Sequence, residues 1–557
     1  MGSTLRALRA LVLLAGFYLL GVLLLAVLAG TDYLFFAHAP AAVATKLAVV
    51  SVLLAIPLVR GLLMLRTSKG EVPSGLPVTE ADEPELWRTV RELADQVGTR
   101  APSRIVLMGD ANAAVSEDAR LLGLLPGPRR LYLGVPLMQG LTEAQLRAVL
   151  AHELGHYAGS DTRLAALTLR GRVQLLRTIR NFEEKAGNTA AREQARQERK
   201  NARAAAKGKG TEGQKTDTGR AGITYRTLAR IYTAYAKVYL RATLADSRRQ
   251  EYAADASAAR IAGRDATASA LREIPVLDGA FGFYVRSYAT LGADAGLLPP
   301  HGEVFGGFGR ILSARQLELA GLRSELPTEP TSPYDSHPPV ADRVRRIELL
   351  PADGRADEAH GAAIALLADE RRTFAALEDA VLTEEVRQFR RTADWQELLD
   401  GAMAANLSSL NTALHRALVL YTKGRPTLPA LLTLIDDGQL WQLARRLPLS
   451  DEAVAAKGRA FREFVRPTLH HSLHSMVMQE FSARSQVRWE FSWEQSAKAR
   501  LLPAPGSSPG DGTSELDAAI GAAVDTALAD QPDTAPLRAL LPPAPRDPAS
   551  QETDAPR

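Results

Sequence analysis

Between Ala148 and Asp161 the chain reads Ala-Val-Leu-Ala-His-Glu-Leu-Gly-His-Tyr-Ala-Gly-Ser-Asp. His152 and His156 are four residues apart with Glu153 between them. On an α-helix that spacing stacks both imidazoles on one face, one turn apart. Two such imidazoles can share one Zn²⁺ while Glu153 stands beside the open coordination position, the layout of a metal-activated water with a carboxylate base. Chance supplies roughly 0.01 copies of this pattern in a chain of this length and composition. The helix also has local support. Thr142 can cap it with Gln145 three residues on, as in a capping box, and Leu146, Val149 and Leu150 recur at helical spacing.

Two imidazoles do not complete a site. The stretch Ser-Arg-Arg-Gln-Glu-Tyr-Ala-Ala-Asp, from Ser247, carries Glu251 and Asp255 one helical turn apart. One carboxylate can bind the metal while the other accepts the N–H of a ligand imidazole and fixes its tautomer. A layout with a third histidine in the first segment, HExxHxxGxxH, has Gly159 in place but Thr162 where the histidine belongs, so it fails. His470, His471 and His474 have no carboxylate between them and read as ordinary helix residues rather than a second metal site.

Composition removes other chemistries. The 557 residues contain no cysteine, which excludes disulfides, thiolate-bound zinc and a thiol nucleophile. A net charge of +4 is slight for this length and gives no reason to expect nucleic acid as a partner. A hydrophobic content of 46% suffices for more than one core.

The elements that must position these residues begin at a membrane. Leu11 to Gly30 is a run without a charge, about 20 residues and hence long enough for a bilayer core of about 30 Å. It reads as an uncleaved anchor, although Arg6, Arg9 and Val27-Leu28-Ala29 give it some features of a signal peptide. Leu47 to Leu65 is a second apolar run, interrupted by Pro57 and Arg60, and the two make a transmembrane hairpin. Basic residues flank the pair on the outside, whereas Thr31 to Thr45 between them has Asp32 and no Lys or Arg, so the positive-inside rule puts both ends in the cytoplasm.

Glu71 to Thr79 then reads as a linker, Asp82 to Val97 as an amphipathic helix, and Arg104 to Met108 and Arg130 to Val135 as strands before the His-Glu helix. Thr162 to Ile179 is helical, and Glu183 to Arg220, rich in charge and alanine, is a solvated insertion. Ile223 to Ala245 puts Tyr225, Leu228, Tyr232, Tyr235 and Tyr239 on one face and Arg226, Arg230, Lys237 and Arg241 on the other. It reads as a core-facing helix with a charged outer side, the alternative being a helix lying on an anionic membrane surface.

In combination these motifs resemble the HtpX-type membrane zinc endopeptidases, whose wider group includes the CAAX prenyl proteases. The resemblance runs from about residue 80 to 350 and includes the N-terminal hairpin. It rests on Asn112-Ala113, on the His-Glu-Leu-Gly-His segment with Asp161, on the Glu251–Asp255 segment, and on Ser336-His337-Pro338-Pro339 with Arg343. It implies that His152, His156 and Glu251 bind one Zn²⁺ per chain and that Glu153 is the general base. It further implies that Asp255 orients a ligand histidine, His337 contacts the substrate carbonyl and Arg343 supports the site. Asn112 and Ala113 would bind substrate. By itself Asn112 reads equally as a turn residue, and His337 most simply as one. The interval between the two metal-binding helices departs from the family, which typically carries further membrane spans there; prenyl-protein processing in a membrane chamber is therefore not expected.

The expected fold is α+β, mainly α. A transmembrane hairpin occupies residues 1–70, and a gluzincin-type zinc protease domain with a small antiparallel sheet occupies 71–350, with the charged insertion at 183–220. An all-α domain follows at 351–502, with Trp395, Trp441, Trp489 and Trp493 as packing anchors, and then a disordered tail at 503–557. The expected activity is that of a membrane-anchored, cytoplasm-facing zinc endopeptidase acting on protein or peptide substrates, with the lipid bilayer as its other partner. A membrane scaffold with a structural or vestigial zinc site is the alternative, which an intact Glu153 disfavours because a structural site has no use for a base.

Overall fold

The computed structural model describes residues 3–63, 74–117, 127–158, 162–206, 223–324, 337–354, 361–484, 486–501 and 516–541. The chain forms two units, Met1–Phe281 with Leu317–Val381, and Gly282–Gln316 with Leu382–Arg557. Residues 282–316 therefore group with the C-terminal part and residues 351–381 with the N-terminal part.

In the first unit, helices α1 (Ser3–His38) and α2 (Ala41–Leu63) are joined by Ala39-Pro40 and pack on each other. Ser51 Oγ donates to Asp32 Oδ1 across the pair at 2.8 Å. Ala15–His38 is, among the described residues, the one segment long and apolar enough to cross a membrane; the apolar part of α2, Ala41–Ile56, is shorter.

Four strands follow: β1 (Leu76–Val78), β2 (Arg104–Met108), β3 (Ala113–Glu117) and β4 (Arg129–Gly134), in the order β1-β2-β4-β3. The sheet is mixed, not antiparallel as expected, because β2 and β4 run parallel with Ile105 opposite Leu131. A parallel pair needs a crossover of a dozen or more residues, and residues 109–128, with β3 among them, provide one. The supposed linker also contributes: Leu76–Val78 pairs with Ile105–Leu107 at the sheet edge, where Pro77 needs no ladder N–H. Helix α3 (Pro84–Val97) buries Leu86, Val90, Leu93 and Val97, as the periodicity predicts.

After the short α4 (Val135–Gly140) comes α5 (Glu143–Gly155), which carries the His-Glu motif. Thr142 and Gln145 form the expected capping box. Ala144, Leu146, Ala148, Leu150, Ala151 and Leu154 are buried, so α5 is enclosed on several sides rather than along one stripe.

Helices α6 (Thr162–Ala206) and α7 (Ile223–Ala262) pack against each other and against α1. Glu183–Ala206 is thus the continuation of a helix whose described side chains are mostly exposed, and residues 207–220 lie outside those described. Charge and helix are compatible there because Phe182 and Ala186 supply buried contacts on one side. Tyr232 and Tyr239 are buried with Phe17, Leu58, Leu175 and Phe182, while Arg226, Arg230, Lys237 and Arg241 stay exposed. The core-facing reading of this helix holds. Gly263, at φ +108°, breaks α7 from α8 (Arg264–Tyr284) within one residue, a conformation open to glycine and costly for other residues.

A strap closes this unit beyond residue 350. Ala363 N donates to Leu141 O at 2.9 Å and Glu143 N to Gly361 O at 2.8 Å, so the strap pairs with the chain entering α5. Farther along, the buried Glu83 carboxylate accepts from Ala368 N at 2.6 Å and Thr373 Oγ1 at 2.7 Å.

The second unit is mainly helical but not all-α. Val487–Glu490 and Lys498–Leu501 form an antiparallel hairpin, and Leu297–Leu298 pairs with Arg390–Arg391. Val487, Trp489, Phe491 and Trp493 alternate with a period of two, a strand signal inside a segment otherwise read as helical. Trp395 and Trp493 do anchor packing, their rings 5.0 Å apart beside Phe491 and Tyr288. The tail also folds in part: Leu516–Ala527 and Ala535–Leu540 are helices, and Ile520, Val524, Leu528 and Leu537 enter the core with Leu431, Val465 and Phe481. Residues 502–515 and 542–557 lie outside those described.

Candidate metal centre

The C-terminal turn of α5 and the middle of α7 face each other and bring the predicted residues together. His152 Nε2 and His156 Nε2 are 3.2 Å apart. Glu251 reaches across from α7 with one carboxylate oxygen 3.7 Å from His152 Nε2 and the other 3.7 Å from His156 Nε2. Glu153 belongs to the same cluster, with one of its oxygens within 4.8 Å of a nitrogen of each histidine.

This donor set fits a zinc ion. Ligand bonds of about 2.0–2.1 Å in a tetrahedron imply donor–donor edges of about 3.3–3.4 Å, and the spacings above bracket that value. Two imidazole nitrogens facing each other otherwise gain little unless one carries a proton. Glu251 Oε2 is buried without a hydrogen-bond partner, although His337 Nδ1 is 2.9 Å away. A buried acceptor left in that state costs about 1–3 kcal/mol unless a cation compensates it.

The surroundings set the charges. Asp255 Oδ1 is 3.0 Å from His152 Nδ1, which assigns the ring proton to Nδ1 and leaves Nε2 with its lone pair turned toward His156 and Glu251. Burial pushes Asp255 up, but hydrogen bonds from Arg343 and His152 and the Arg343 charge outweigh it, leaving the carboxyl at about 2. Burial, helped by the neighbouring His152 charge, pushes His156 down to about 4, so it is neutral at pH 7 and able to ligate. Glu251 also meets a burial penalty, yet His337, His156 and His152 hold it below the ordinary carboxylate value. Glu153 goes the other way: burial, reinforced by the Glu251 charge, raises it, against the pull of His152 and His337 and of the Val115 N–H. A carboxylate of raised basicity beside these imidazole and carboxylate donors is suited to take a proton.

His337 and Arg343 come from the other end of this unit. Val340–Glu348 is a helix whose Val344 and Ile347 are buried against Ala259 and Ala268. From it Arg343 Nη2 and Nε reach Asp255 at 2.6 and 2.9 Å. Arg346 stacks on Tyr252 at 4.0 Å. His337 stands just before this helix, its side chain 60% exposed, and so presents imidazole to both the Glu251 carboxylate and solvent.

The wall of the site is β3, at the sheet edge. Asn112 is exposed at its start; its Oδ1 accepts from Ala113 N at 2.9 Å, and its backbone O accepts from Gly134 N at 2.7 Å. Gly134 is required there, since a Cβ would fall 1.8 Å from Asp110 O. Sequence reading missed Tyr157, whose hydroxyl donates to Val115 O at 2.7 Å, and Arg129, whose guanidinium covers the Tyr157 ring at 4.7 Å. The one signal was position, Tyr157 following His156 directly; its partner is remote in the chain.

Two histidines and a Glu on facing helices, a second carboxylate beside them and a sheet edge above define a metallopeptidase type of centre. Residues 80–350 match the model of peptidase family M48, and with the relatives below this match supports an HtpX-type M48 domain in that stretch. It is 27% identical over 277 residues to a protease HtpX homolog of Kineococcus radiotolerans, covering 49% of this chain and 76% of that relative. It is 33% identical over 81 residues to one from Paracidovorax citrulli and 32% over 102 residues to one from Syntrophobacter fumaroxidans. Those two matches cover 14% and 18% of this chain, and only 26% and 34% of the relatives. No solved structure matches.

Proposed function

We propose that this chain is a membrane-anchored zinc endopeptidase that hydrolyses peptide bonds of proteins, with a place in membrane-protein quality control. The observation that carries the proposal is the convergence of His152 Nε2, His156 Nε2 and the Glu251 carboxylate at 3.2–3.7 Å, with Glu153 in the same cluster. His152, His156 and Glu251 would hold the zinc, one per chain. When bound, zinc supplies Lewis-acid polarisation of the scissile carbonyl and of water.

The chain's own residues do the rest. Glu153 takes a proton from the attacking water and delivers it to the departing amine. Asp255 keeps the His152 proton on Nδ1, and Arg343 keeps Asp255 ionised. His337, exposed beside the donors, is the hydrogen-bond donor for the developing oxyanion. Asn112 and Ala113, at the head of the edge strand, receive an extended peptide by strand addition.

Anchoring is assigned to Ala15–His38, with α2 as a second, shorter membrane segment, and the basic flanks favour a catalytic domain on the cytoplasmic side of the plasma membrane. The test is hydrolysis of casein or a peptide library by the detergent-purified chain. Activity should vanish on chelation and return with zinc. A folded, zinc-loaded chain that hydrolyses nothing would leave the scaffold reading.

A further inference from the structure

The edge strand beside the site is already partly engaged by the protein itself. The Gly134 N to Asn112 O bond makes Asn112 and Gly134 a hydrogen-bonded pair, with Ala113 opposite Leu133 next in register. Such pairs alternate along an antiparallel ladder. The Asn112 carbonyl and the backbone groups of Ala114 and Ser116 therefore turn toward β4, the Asn112 N–H going instead to Asp110 O at 2.8 Å, while Ala113, Val115 and Glu117 turn theirs outward.

The outward groups differ in what holds them. The Ala113 N–H is covered by Asn112 Oδ1, an exposed side chain that a substrate carbonyl can replace. The Val115 N–H faces Glu153, and the Val115 carbonyl takes the Tyr157 hydroxyl. The Tyr157 contact is built in. Arg129, itself buried, covers the ring and donates to Thr99 Oγ1 at 2.7 Å and Arg100 O at 2.9 Å. Thr99 Oγ1 in turn donates to the Tyr157 backbone O at 3.0 Å.

A peptide adding to this edge would meet outward groups at every second residue. With the Tyr157 hydroxyl 2.7 Å from this outward carbonyl, a substrate N–H must compete with it for the oxygen, which disfavours continuing the ladder past Ala113 in that direction. We propose that Tyr157 is a specificity-determining positioning residue: by holding the Val115 carbonyl it ends substrate pairing at Ala113 and so sets which peptide bond comes to Glu153. The inference rests on the peptidase reading above.

Two measurements test it. In the first, backbone amides of a cleaved peptide are replaced one at a time by esters and assayed with the wild-type chain. Along the substrate edge facing β3, one ester, at the N–H that meets the Ala113 carbonyl, should lower kcat/KM about 5- to 10-fold, as loss of one hydrogen bond does. The ester two residues away should change it less than about 2-fold. Two sensitive positions two residues apart would overturn the proposal.

In the second, cleavage sites on a peptide of repeating sequence are mapped by mass spectrometry for wild type and Tyr157→Phe. Wild type should cut in one register, and the variant should add a cut displaced by two residues, with unchanged zinc content. An unchanged cut pattern in the folded variant would overturn the proposal, and if the variant does not fold the ester series decides alone. A wild-type chain that cleaves no peptide would remove the peptidase reading, and this inference with it.

Discussion

Asp255 Oδ1 stands 3.0 Å from His152 Nδ1, so a carboxylate on α7 decides which nitrogen of an α5 imidazole is left to bind metal. The two helices are thereby coupled through the ring. Asp255→Asn can keep the shape but no longer favours the same tautomer as strongly. Zinc affinity, measured by competition with a chromophoric chelator, should fall about 10- to 100-fold. An unchanged affinity would make Asp255 a partner of Arg343 only.

Glu153 and Glu251 should separate cleanly. Glu153→Gln is expected to retain zinc and lose about 10²- to 10⁴-fold in kcat, because a base and not a ligand is removed. Glu251→Gln should lower the metal content itself, read by atomic absorption after dialysis. A Glu251→Gln protein with full zinc would move the third ligand elsewhere.

His337→Ala should fold, retain zinc and lower kcat by about 10²- to 10³-fold with little change in KM, as for the loss of an oxyanion donor. Its 2.9 Å approach to Glu251 gives the experiment a second readout. A KM that rises while kcat holds would make His337 a substrate-positioning or structural residue.

Arg343 and Asp255 form a buried ion pair, and removing one partner strands the other. Arg343→Ala should cost about 3–5 kcal/mol in urea unfolding. In the metal-free wild type the Asp255 carboxyl lies at about 2 in the folded state against an ordinary 3.8. A depressed folded value means that its contribution, about 2 kcal/mol, is fully present above pH 3.8 and is lost as pH falls toward 2. Acid titration of the Arg343→Ala variant should show that window diminished.

Topology can be read with a protease. Trypsin added to right-side-out vesicles should spare the Lys- and Arg-rich stretch 183–220, and trypsin added to inverted vesicles should reach the catalytic unit. Cutting of the stretch in right-side-out vesicles would reverse the orientation.

The site was legible in the sequence where chemistry and helical period coincide. His152, Glu153 and His156 announce themselves by spacing, and Glu251 with Asp255 by the same one-turn separation on a second helix. The Thr142–Gln145 cap was legible for the same local reason. Contacts that depend on register between distant segments were not: Tyr157 to Val115 requires knowing that β3 is the edge and which of its carbonyls point outward. The parallel β2–β4 pair was hidden because strand direction is a property of the connection, not of either strand. Ile520, Val524 and Leu528 were overlooked because averaging over a Pro- and Gly-rich tail dilutes a four-residue period.

The strap beyond residue 350 bears on how this chain could have been assembled in evolution. An appendage joined end to end can be lost without trace, but this one lends two hydrogen-bond donors to a carboxylate near the start of the catalytic domain, Ala368 N and Thr373 Oγ1 to Glu83. A descendant that shed residues 361–381 would inherit a buried acceptor with nothing to satisfy it, and selection would press Glu83 to change as well. Glutamate at that position and the strap that answers it are therefore expected to appear and disappear together across lineages.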